Sequence, residues 1–243
     1  MMDVRKQKNF YYSQNSLNTF LRCPLKFKYK YMEGIQWKRD EAEYYENMSL
    51  GLDFHLLAER YFTEIPCHIP SEIAHEEQLS SWMNRLKRTV PLEAGNRYLP
   101  EYEIRMAKGH LRLQAKYDLL LLKPEGTIEI WDWKTEEREI TMKEAEKKIQ
   151  TMVYLYVLAE NAEPLLQRKP VDGNIKMIYW QPHIGKRLEI YYNREKHLYN
   201  EKKINEILEK LEEYDFSNFL LSKGHGQKCS YCEFKNLCGS PAV

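Results

Sequence analysis

Hydrophobic and polar positions alternate most clearly in the middle of the chain. Two runs of β-type residues, 119–122 and 127–133, flank the connector Lys123-Pro124-Glu125-Gly126. Pro and Gly at this spacing are typical of a tight turn, so the pattern predicts a β-hairpin. The rest of the chain is organised around this hairpin.

The length of the hairpin loop decides which side chains share a face. With Pro124 and Glu125 in a type I turn and Gly126 in the left-handed region, Asp118 lies opposite Asp132. Lys134 then points to the same face, because side chains alternate along a strand. A four-residue loop would shift the register by one and separate the aspartates. We adopt the three-residue loop.

Helical spacing of apolar residues predicts helices on both sides of the hairpin. The predicted helices cover residues 13–22, 24 to about 34, 48–65, 77–88, 141–158 and a last long segment around 204–211. Further strands are predicted at 102–106, 174–180 and 187–192. Thr141 and Glu144 have the spacing of a capping box at the start of the fifth helix.

The charges on the hairpin suggest a chemistry. Two carboxylates across a strand pair repel each other unless something neutralises them. A divalent cation such as Mg²⁺ or Mn²⁺ favours carboxylate oxygens, and an adjacent lysine could hold a water or the attacked phosphate. The alternative is an ordinary solvated face of Asp118, Asp132 and Lys134.

Composition limits the classes of function. With 243 residues, 43% hydrophobic and 30% charged, the chain fits one domain over residues 1–243. The net charge is only +1, so any nucleic-acid surface must be local. Residues 1–40 hold nine Lys or Arg against three acids, interleaved with Tyr and Phe.

The first residues lack an apolar signal core, and no apolar run reaches about 20 residues, so we expect a cytoplasmic protein without a membrane contact.

Three cysteines near the end of the sequence, Cys229, Cys232 and Cys238, have the spacing C-x2-C-x5-C. An odd cluster of this kind is more typical of a metal site than of disulfides. Zinc could take His225 as its fourth ligand, whereas a [4Fe-4S] cluster requires four thiolates.

Several motifs together resemble one known family. Asp118, followed after thirteen residues by Asp132-Trp133-Lys134, is similar to the core signature of the PD-(D/E)XK nuclease superfamily. The sequence further resembles the RecB/AddB-like branch in three motifs, which are Gly51 with His55, Gln150 with Tyr154, and Cys23 with the C-terminal cysteine triplet. Tyr117 replaces the proline that names the superfamily, and Ala115 stands where the branch often has glycine.

The resemblance implies an α/β fold with a restriction-endonuclease-like core, in which a central mixed sheet is flanked by helices. It also implies a residue for each role in the site. Mg²⁺ or Mn²⁺ would be bound by His55, Asp118 and Asp132, and the carbonyl of Trp133 is a further candidate ligand. Lys134 would position or deprotonate water, and Gln150 and Tyr154 would hold DNA or Lys134.

The resemblance assigns the cysteines to an iron-sulfur cluster. Cys23, Cys229, Cys232 and Cys238 would bind [4Fe-4S] and join residues 1–40 to residues 223–243 in one lobe. Cys67 would take no part.

The implied function is a metal-dependent DNA exonuclease that prefers single strands or DNA ends and acts in repair or recombination. The CRISPR-associated nucleases that trim DNA for spacer acquisition share the same plan and are the alternative. Either would work with partner proteins of a repair or adaptation complex.

The basic N-terminal segment would bind phosphates, and its aromatic residues would stack on unpaired bases. These aromatic residues are Tyr11, Tyr12, Phe27, Tyr29 and Tyr31. Some of them must instead belong to the core, because Phe27 and Tyr31 lie on one helical stripe. A nonhydrolytic DNA-binding module is the rival from another class, and the complete set of His55, Asp118, Asp132 and Lys134 argues against it.

Overall fold

The computed structural model describes residues 3–36, 42–66, 68–69, 75–217, 229, 232–235 and 237–238, with backbone alone at 42–48. Cys67 and His225 lie outside the described residues. The chain forms an α/β fold with a mixed central sheet flanked by helices, as predicted.

The described residues form six strands and eight α-helices. The strands are β1 Tyr12–Ser13, β2 Arg97–Lys108, β3 Leu111–Leu122, β4 Ile128–Trp133, β5 Ile175–Gln181 and β6 Lys186–Tyr192. The helices are α1 Gln14–Arg22, α2 Pro24–Phe27, α3 Ala42–Phe62, α4 Glu76–Thr89, α5 Met142–Lys147, α6 Ile149–Glu160, α7 Ala162–Leu166 and α8 Arg194–Glu213. A short 3₁₀ helix, Val4–Lys6, and a π-helical turn, Lys28–Met32, complete the secondary structure of this part of the chain.

Strand β3 is the branch point of the sheet. It pairs with β2 in antiparallel orientation from Leu111 to Leu122, except at Asp118. Its other edge is shared, because β1 runs parallel to residues 113–114 and β4 runs antiparallel to residues 119–122. The sheet continues from β4 to β5 in parallel and from β5 to β6 in antiparallel orientation. A fork therefore opens beside residues 115–118 of β3.

The register of the β3–β4 hairpin is the predicted one. Leu119 pairs with Trp131 and Leu122 with Ile128. In the loop, the Gly126 amide donates to the carbonyl of Lys123 at 2.9 Å, and Gly126 has φ +96°. The three-residue loop with a left-handed glycine therefore sets which side chains meet across the two strands.

Two hydrophobic clusters cover the two faces of the sheet. The larger cluster packs α1, α6 and α8 against one face and contains Val153, Ile204 and Leu208. The smaller cluster packs α3 and α4 against the other face, around Phe54 and Trp180. Both clusters meet at β4, whose side chains are all buried.

The helix predicted over residues 141–158 is wrong in one respect, because it is two helices. The Thr141–Glu144 capping box is present at the start of α5, but Lys148 has an extended ψ of 134° and separates α5 from α6. The Thr151 hydroxyl donates to the carbonyl of Ala145, which an unbroken helix would pair with the amide of residue 149. This side-chain bond offsets the backbone bond lost at the break.

The N-terminal aromatic residues are more buried than the predicted base-stacking role requires. Tyr12 and Phe27 belong to the larger hydrophobic cluster, and Tyr31 packs against it. Tyr29 packs on Phe234 with ring centroids 5.6 Å apart. Only Tyr11 of the predicted set lacks such packing, and it lies under the Arg105 guanidinium.

Helices α1 to α8 all lie among the described residues. None of these helices combines the length and the hydropathy that crossing a membrane requires.

Gly126 provides a test of the hairpin loop. We expect Gly126→Ala to destabilise the fold, because positive φ costs an L-residue roughly 1–2 kcal/mol. The added Cβ would also displace the Arg168 guanidinium, which donates to the carbonyl of Pro124 at 3.0 Å, for about 1 kcal/mol more. Gly109→Ala is the matched control, since Gly109 has φ +60° and open space around it. Equal losses of unfolding free energy in urea for the two variants would contradict this account.

Candidate active site

The site lies where β4 separates from β3. The ladder between them ends at Leu119 and Trp131, and the next amide, that of Trp133, donates to Asp118 Oδ2 at 2.7 Å. Asp132 therefore leaves β3 and instead pairs with Tyr179 of β5. The two predicted aspartates stand on opposite sides of the fork.

A backbone distortion in β2 and β3 turns Asp118 toward this fork. The β2–β3 pairing skips Glu101 and Asp118, although the register is unchanged on either side. Glu101 has φ +51°, which is uncommon for a residue other than glycine. Tyr117 belongs to the larger hydrophobic cluster and Leu119 to the smaller one, so the alternation of faces reverses at Asp118.

His55, Glu101 and Asp118 form a group that could hold a metal ion, called the metal group below. One ligand atom from each lies within 4.8 Å of the others, and no other His, Cys, Asp or Glu residues in the described ranges form such a group of three or more. His55 Nδ1 lies 3.4 Å from Asp118 Oδ1. Burial opposes the charged imidazole, but the hydrogen bond and charge of Asp118 outweigh it and raise the pKa of His55. Carboxylate and imidazole ligands at this spacing fit a divalent cation.

Asp132 is almost completely buried beside this group, with 2% of its side chain exposed. Lys134 Nζ lies 2.6 Å from Oδ2, and Gln150 Nε2 donates to Oδ1 at 2.5 Å. Lys134 Nζ in turn donates to Gln150 Oε1 at 3.1 Å. The Lys134 ammonium is therefore the partner of Oδ2, and no further group among the described residues bonds to that oxygen. Oδ2 is buried against the lysine and away from solvent.

Burial and the Lys134 charge act in opposite directions on the pKa of Asp132. Burial raises the pKa of Asp132, and the charge of Asp118 raises it further, although Lys134 lowers it. Burial would lower the pKa of Lys134, but the Asp132 carboxylate outweighs burial and raises it. The lysine therefore stays protonated. A positive ion beside Asp118 and Asp132 would relieve the remaining repulsion between the carboxylates.

Helix α6 supplies the Gln150 and Tyr154 of the predicted motif. Tyr154 packs edge-on against Tyr117 with ring centroids 5.0 Å apart, and the Tyr117 hydroxyl donates to the carbonyl of Tyr154 at 3.1 Å. Burial, and next the charge of Asp132, raise the pKa of Tyr154. Tyr154 thus fixes α6 against β3, while Gln150 is the residue that contacts Asp132 and Lys134.

Gly51 allows α3 to approach the strand end. A Cβ at Gly51 would lie 3.0 Å from Thr135 Oγ1, closer than side chains normally pack. Thr135 follows Lys134, and His55 lies one turn further along α3. The glycine therefore brings His55 within reach of Asp118, as the spacing of the two residues suggests.

Glu101 was not among the site residues predicted from the sequence. The ligand set predicted from it was His55, Asp118 and Asp132, but the structure places Glu101 with the first two and leaves Asp132 just outside this group. Glu101 also pairs with Lys116 at 2.6 Å. Nothing in the sequence indicates a positive φ at a glutamate inside a strand. Only the register of β2 on β3, which sets residue 101 opposite residue 118, would have placed Glu101 here.

The four predicted cluster cysteines lie in one region but do not form a tight group. Cys23 caps α2, where its Sγ accepts from the Lys26 amide at 3.4 Å. Lys26 pairs with Glu233 at 2.6 Å, which brings the C-terminal segment against α2. Burial raises the pKa of Cys229, and the other three cysteines contribute in the same direction. Among the described residues, however, no three cysteine sulfurs lie within 4.8 Å of one another.

A mixed sheet that brings carboxylates, an imidazole and a lysine to one fork suits metal-assisted hydrolysis of a phosphodiester. Residues 11–239 match the PD-(D/E)XK nuclease superfamily, and the chain belongs to that superfamily. Its nucleases use divalent metals, and the group of His55, Glu101 and Asp118 could bind one.

Two solved structures align with the chain at low identity. The chain aligns with a crystal structure from Eubacterium rectale named "putative exonuclease", over 94% of this chain and 93% of that one, with a TM-score of 0.52 and 12% identity. It also aligns with a crystal structure of the protein SSO0001, over 96% of this chain and 87% of that one, with a TM-score of 0.42 and 14% identity. No curated protein matches the sequence.

The metal group can be tested without any activity. We expect Glu101→Gln to weaken Mn²⁺ binding by about tenfold or more, because a neutral amide replaces a charged ligand. Isothermal titration calorimetry of the metal-free protein measures this directly. Glu103→Gln is the matched control, since Glu103 is exposed on the same strand and pairs with Arg105 at 2.6 Å. Unchanged Mn²⁺ affinity in Glu101→Gln would remove this residue from the site.

The buried pair of Asp132 and Lys134 predicts a pH-dependent stability. In EDTA, we expect Lys134→Met to cost about 3–5 kcal/mol at pH 8, because it leaves a buried carboxylate uncompensated. Burial raises the pKa of Asp132 in the folded state, so the loss should shrink as pH falls and Asp132 takes up a proton. Thermal unfolding at pH 8 and pH 5 measures the difference.

Lys123→Met is the control for that measurement. Lys123 lies 2.9 Å from the buried Glu129, but Glu129 also pairs with Lys176 at 3.2 Å and keeps that partner in the variant. We expect a smaller loss in this control. A Lys134→Met loss that is the same at both pH values, or no larger than the control, would contradict the compensation argument.

Proposed function

We propose that the chain is a metal-dependent DNA exonuclease that hydrolyses phosphodiester bonds and prefers single strands or DNA ends. The observation that carries this proposal is the assembly of Asp118, Asp132, Lys134 and Gln150 at one open fork, next to His55 and Glu101. The exonuclease name of the Eubacterium rectale structure agrees with it.

The metal site would be formed by His55, Glu101 and Asp118, with Asp132, the third ligand predicted from the sequence, beside them. A bound divalent cation would supply Lewis-acid stabilisation of the charge that develops on the phosphate. The carboxylates hold the cation at the exposed side of the fork, where Asp118 keeps 18% of its side chain accessible. Substrate can reach this side, whereas Asp132 lies behind it.

Lys134 would act on the water or on the phosphate. An ammonium group has three N–H donors, and Asp132 and Gln150 take two of them. The third donor remains for a substrate oxygen or a water molecule. Because Asp132 keeps the lysine protonated, positioning is the favoured role rather than proton abstraction. Gln150 holds both partners and fixes the ammonium in place.

Binding of a single strand would use the exposed cations of the N-terminal segment. Arg5, Lys26 and Lys28 pair with acidic groups of the protein and are less available than the sequence suggested. Lys6, Lys8, Arg22 and Lys30 are exposed, and none makes an ion pair within the described part of the chain. Phosphate contacts by such residues make affinity strongly dependent on salt.

We further propose that Cys23, Cys229, Cys232 and Cys238 hold a [4Fe-4S] cluster. The Lys26–Glu233 pair and the Tyr29 hydroxyl, which donates to the carbonyl of Leu237 at 3.3 Å, bring the two cysteine segments together. A single zinc ion needs its sulfurs about 2.3 Å from the metal, closer together than these. A cubane binds each thiolate at a separate iron, so its ligands lie further apart. The preference for the cluster over zinc rests on the set of four cysteines that the sequence resemblance implies.

The central activity test uses end-labelled DNA. We expect Asp132→Ala and Lys134→Ala to lower cleavage by about a hundredfold or more and to leave DNA binding nearly unchanged, since affinity comes from phosphate contacts elsewhere. Linear single strands should be cut faster than closed circular single strands or blunt duplexes. The control is Lys210→Ala, an exposed lysine of α8. Near wild-type cleavage by either site variant would refute the assigned roles, and equal rates on circular and linear strands would refute the exonuclease.

The cluster has its own test. We expect protein purified without oxygen to be brown and to contain about four iron atoms per chain, as one cubane requires. Cys23→Ser should lower the iron content and the melting temperature, whereas Cys67→Ser should leave both unchanged. One zinc per chain without iron, or equal effects of the two substitutions, would overturn this proposal.

A further inference from the structure

Lys148 is a second lysine beside Lys134, and the proposed chemistry leaves it unused. It lies at the break between α5 and α6, two residues before Gln150. Its Nζ is 5.1 Å from the centre of the Tyr179 ring, and Lys134 Nζ is 5.4 Å from the centre of the same ring. Tyr179 is buried and pairs across the sheet with Asp132. Both ammonium groups therefore lie at the end of β4.

Lys148 is unlike two cations of this region that pair with acidic side chains. Nearby, Arg138 pairs with Glu144 at 2.8 Å, and Lys196 pairs with Glu146 at 3.0 Å. Within the described residues, Lys148 makes no ion pair. The one buried carboxylate at this point, Asp132, is already paired with Lys134.

The position of Lys148 leaves a positive charge that a bound anion would neutralise. The side chain is only partly exposed, and burial together with the Lys134 charge lowers the pKa of Lys148. Two ammonium groups against one ring repel each other unless an anion lies between or beside them. Lys134 contacts Asp132 and shares the Tyr179 ring with Lys148, so a phosphate backbone that reaches Lys134 would pass close to Lys148.

We propose that Lys148 binds a backbone phosphate of the substrate next to the one that is cut. This inference rests on the proposed nuclease function and adds to it a residue that serves affinity rather than the chemical step. An ammonium without a carboxylate partner acts as a point charge for a phosphate oxygen. Lys134 then serves the reacting phosphate, and Lys148 sets where the adjoining nucleotide lies.

The test compares Lys148→Met with Lys148→Arg and with Lys210→Met, which removes the same charge on α8. The substrate is a fluorescent linear single strand, and binding is measured in EDTA at several salt concentrations. We expect Lys148→Met to lower the slope of log affinity against log salt by roughly 0.7, as one lost phosphate contact should. In cleavage assays with Mn²⁺, KM should rise by about five- to tenfold while kcat changes by less than about twofold.

Lys148→Arg should restore the salt slope and KM, and Lys210→Met should leave both at the wild-type values. An unchanged slope and KM in Lys148→Met, or an equal change in Lys210→Met, would overturn the inference. A fall in kcat with constant KM would also overturn it, because it would show that Lys148 acts through Lys134 instead. If the wild type cleaves no DNA, the nuclease proposal fails, and the binding slope still decides whether Lys148 contacts a phosphate.

Discussion

The burial of Asp132 is the constraint on which the site depends. A carboxylate at the end of a central strand loses its hydration, so it must be neutralised by its surroundings. Lys134 and Gln150 provide part of this compensation through contacts of 2.6 Å and 2.5 Å. Gln150 reaches Asp132 because the chain breaks at Lys148 and starts α6 anew. A cation held beside Asp118 would complete the compensation.

The fork in β3 explains why this buried carboxylate meets a solvent-accessible metal group. Strands β1 and β4 share one edge of β3 and leave Asp118 between them, where its side chain takes the Trp133 amide that would otherwise extend the ladder. Opposite Asp118, Glu101 adopts a positive φ, a conformation that costs energy and often marks a functional position. The strained residue and the metal group coincide. We interpret the strain as the means by which the sheet turns a second carboxylate toward the site.

The sequence predicted those parts of the fold that depend on local chemistry. The Pro124 and Gly126 spacing determined the loop, the loop determined the register, and the register brought Asp118 and Asp132 to one fork. Glu101 and the break at Lys148 could not be predicted, because each depends on tertiary contacts: the register of β2 on β3, and the hydrogen bond of Thr151 with Tyr179 of β5. Burial was also misjudged for Tyr12, since an aromatic side chain beside lysines looks the same in sequence whether it faces a core or a nucleic acid.

The central claim is that a divalent cation binds between α3, β2 and β3, next to the buried Asp132. A crystal structure of the protein with Mn²⁺, with anomalous data collected at the manganese edge, tests it most directly. We expect one strong peak about 2.1 Å from oxygens of Glu101 and Asp118, with His55 as a further ligand. A manganese peak elsewhere on the protein, with this fork left without one, would contradict the account.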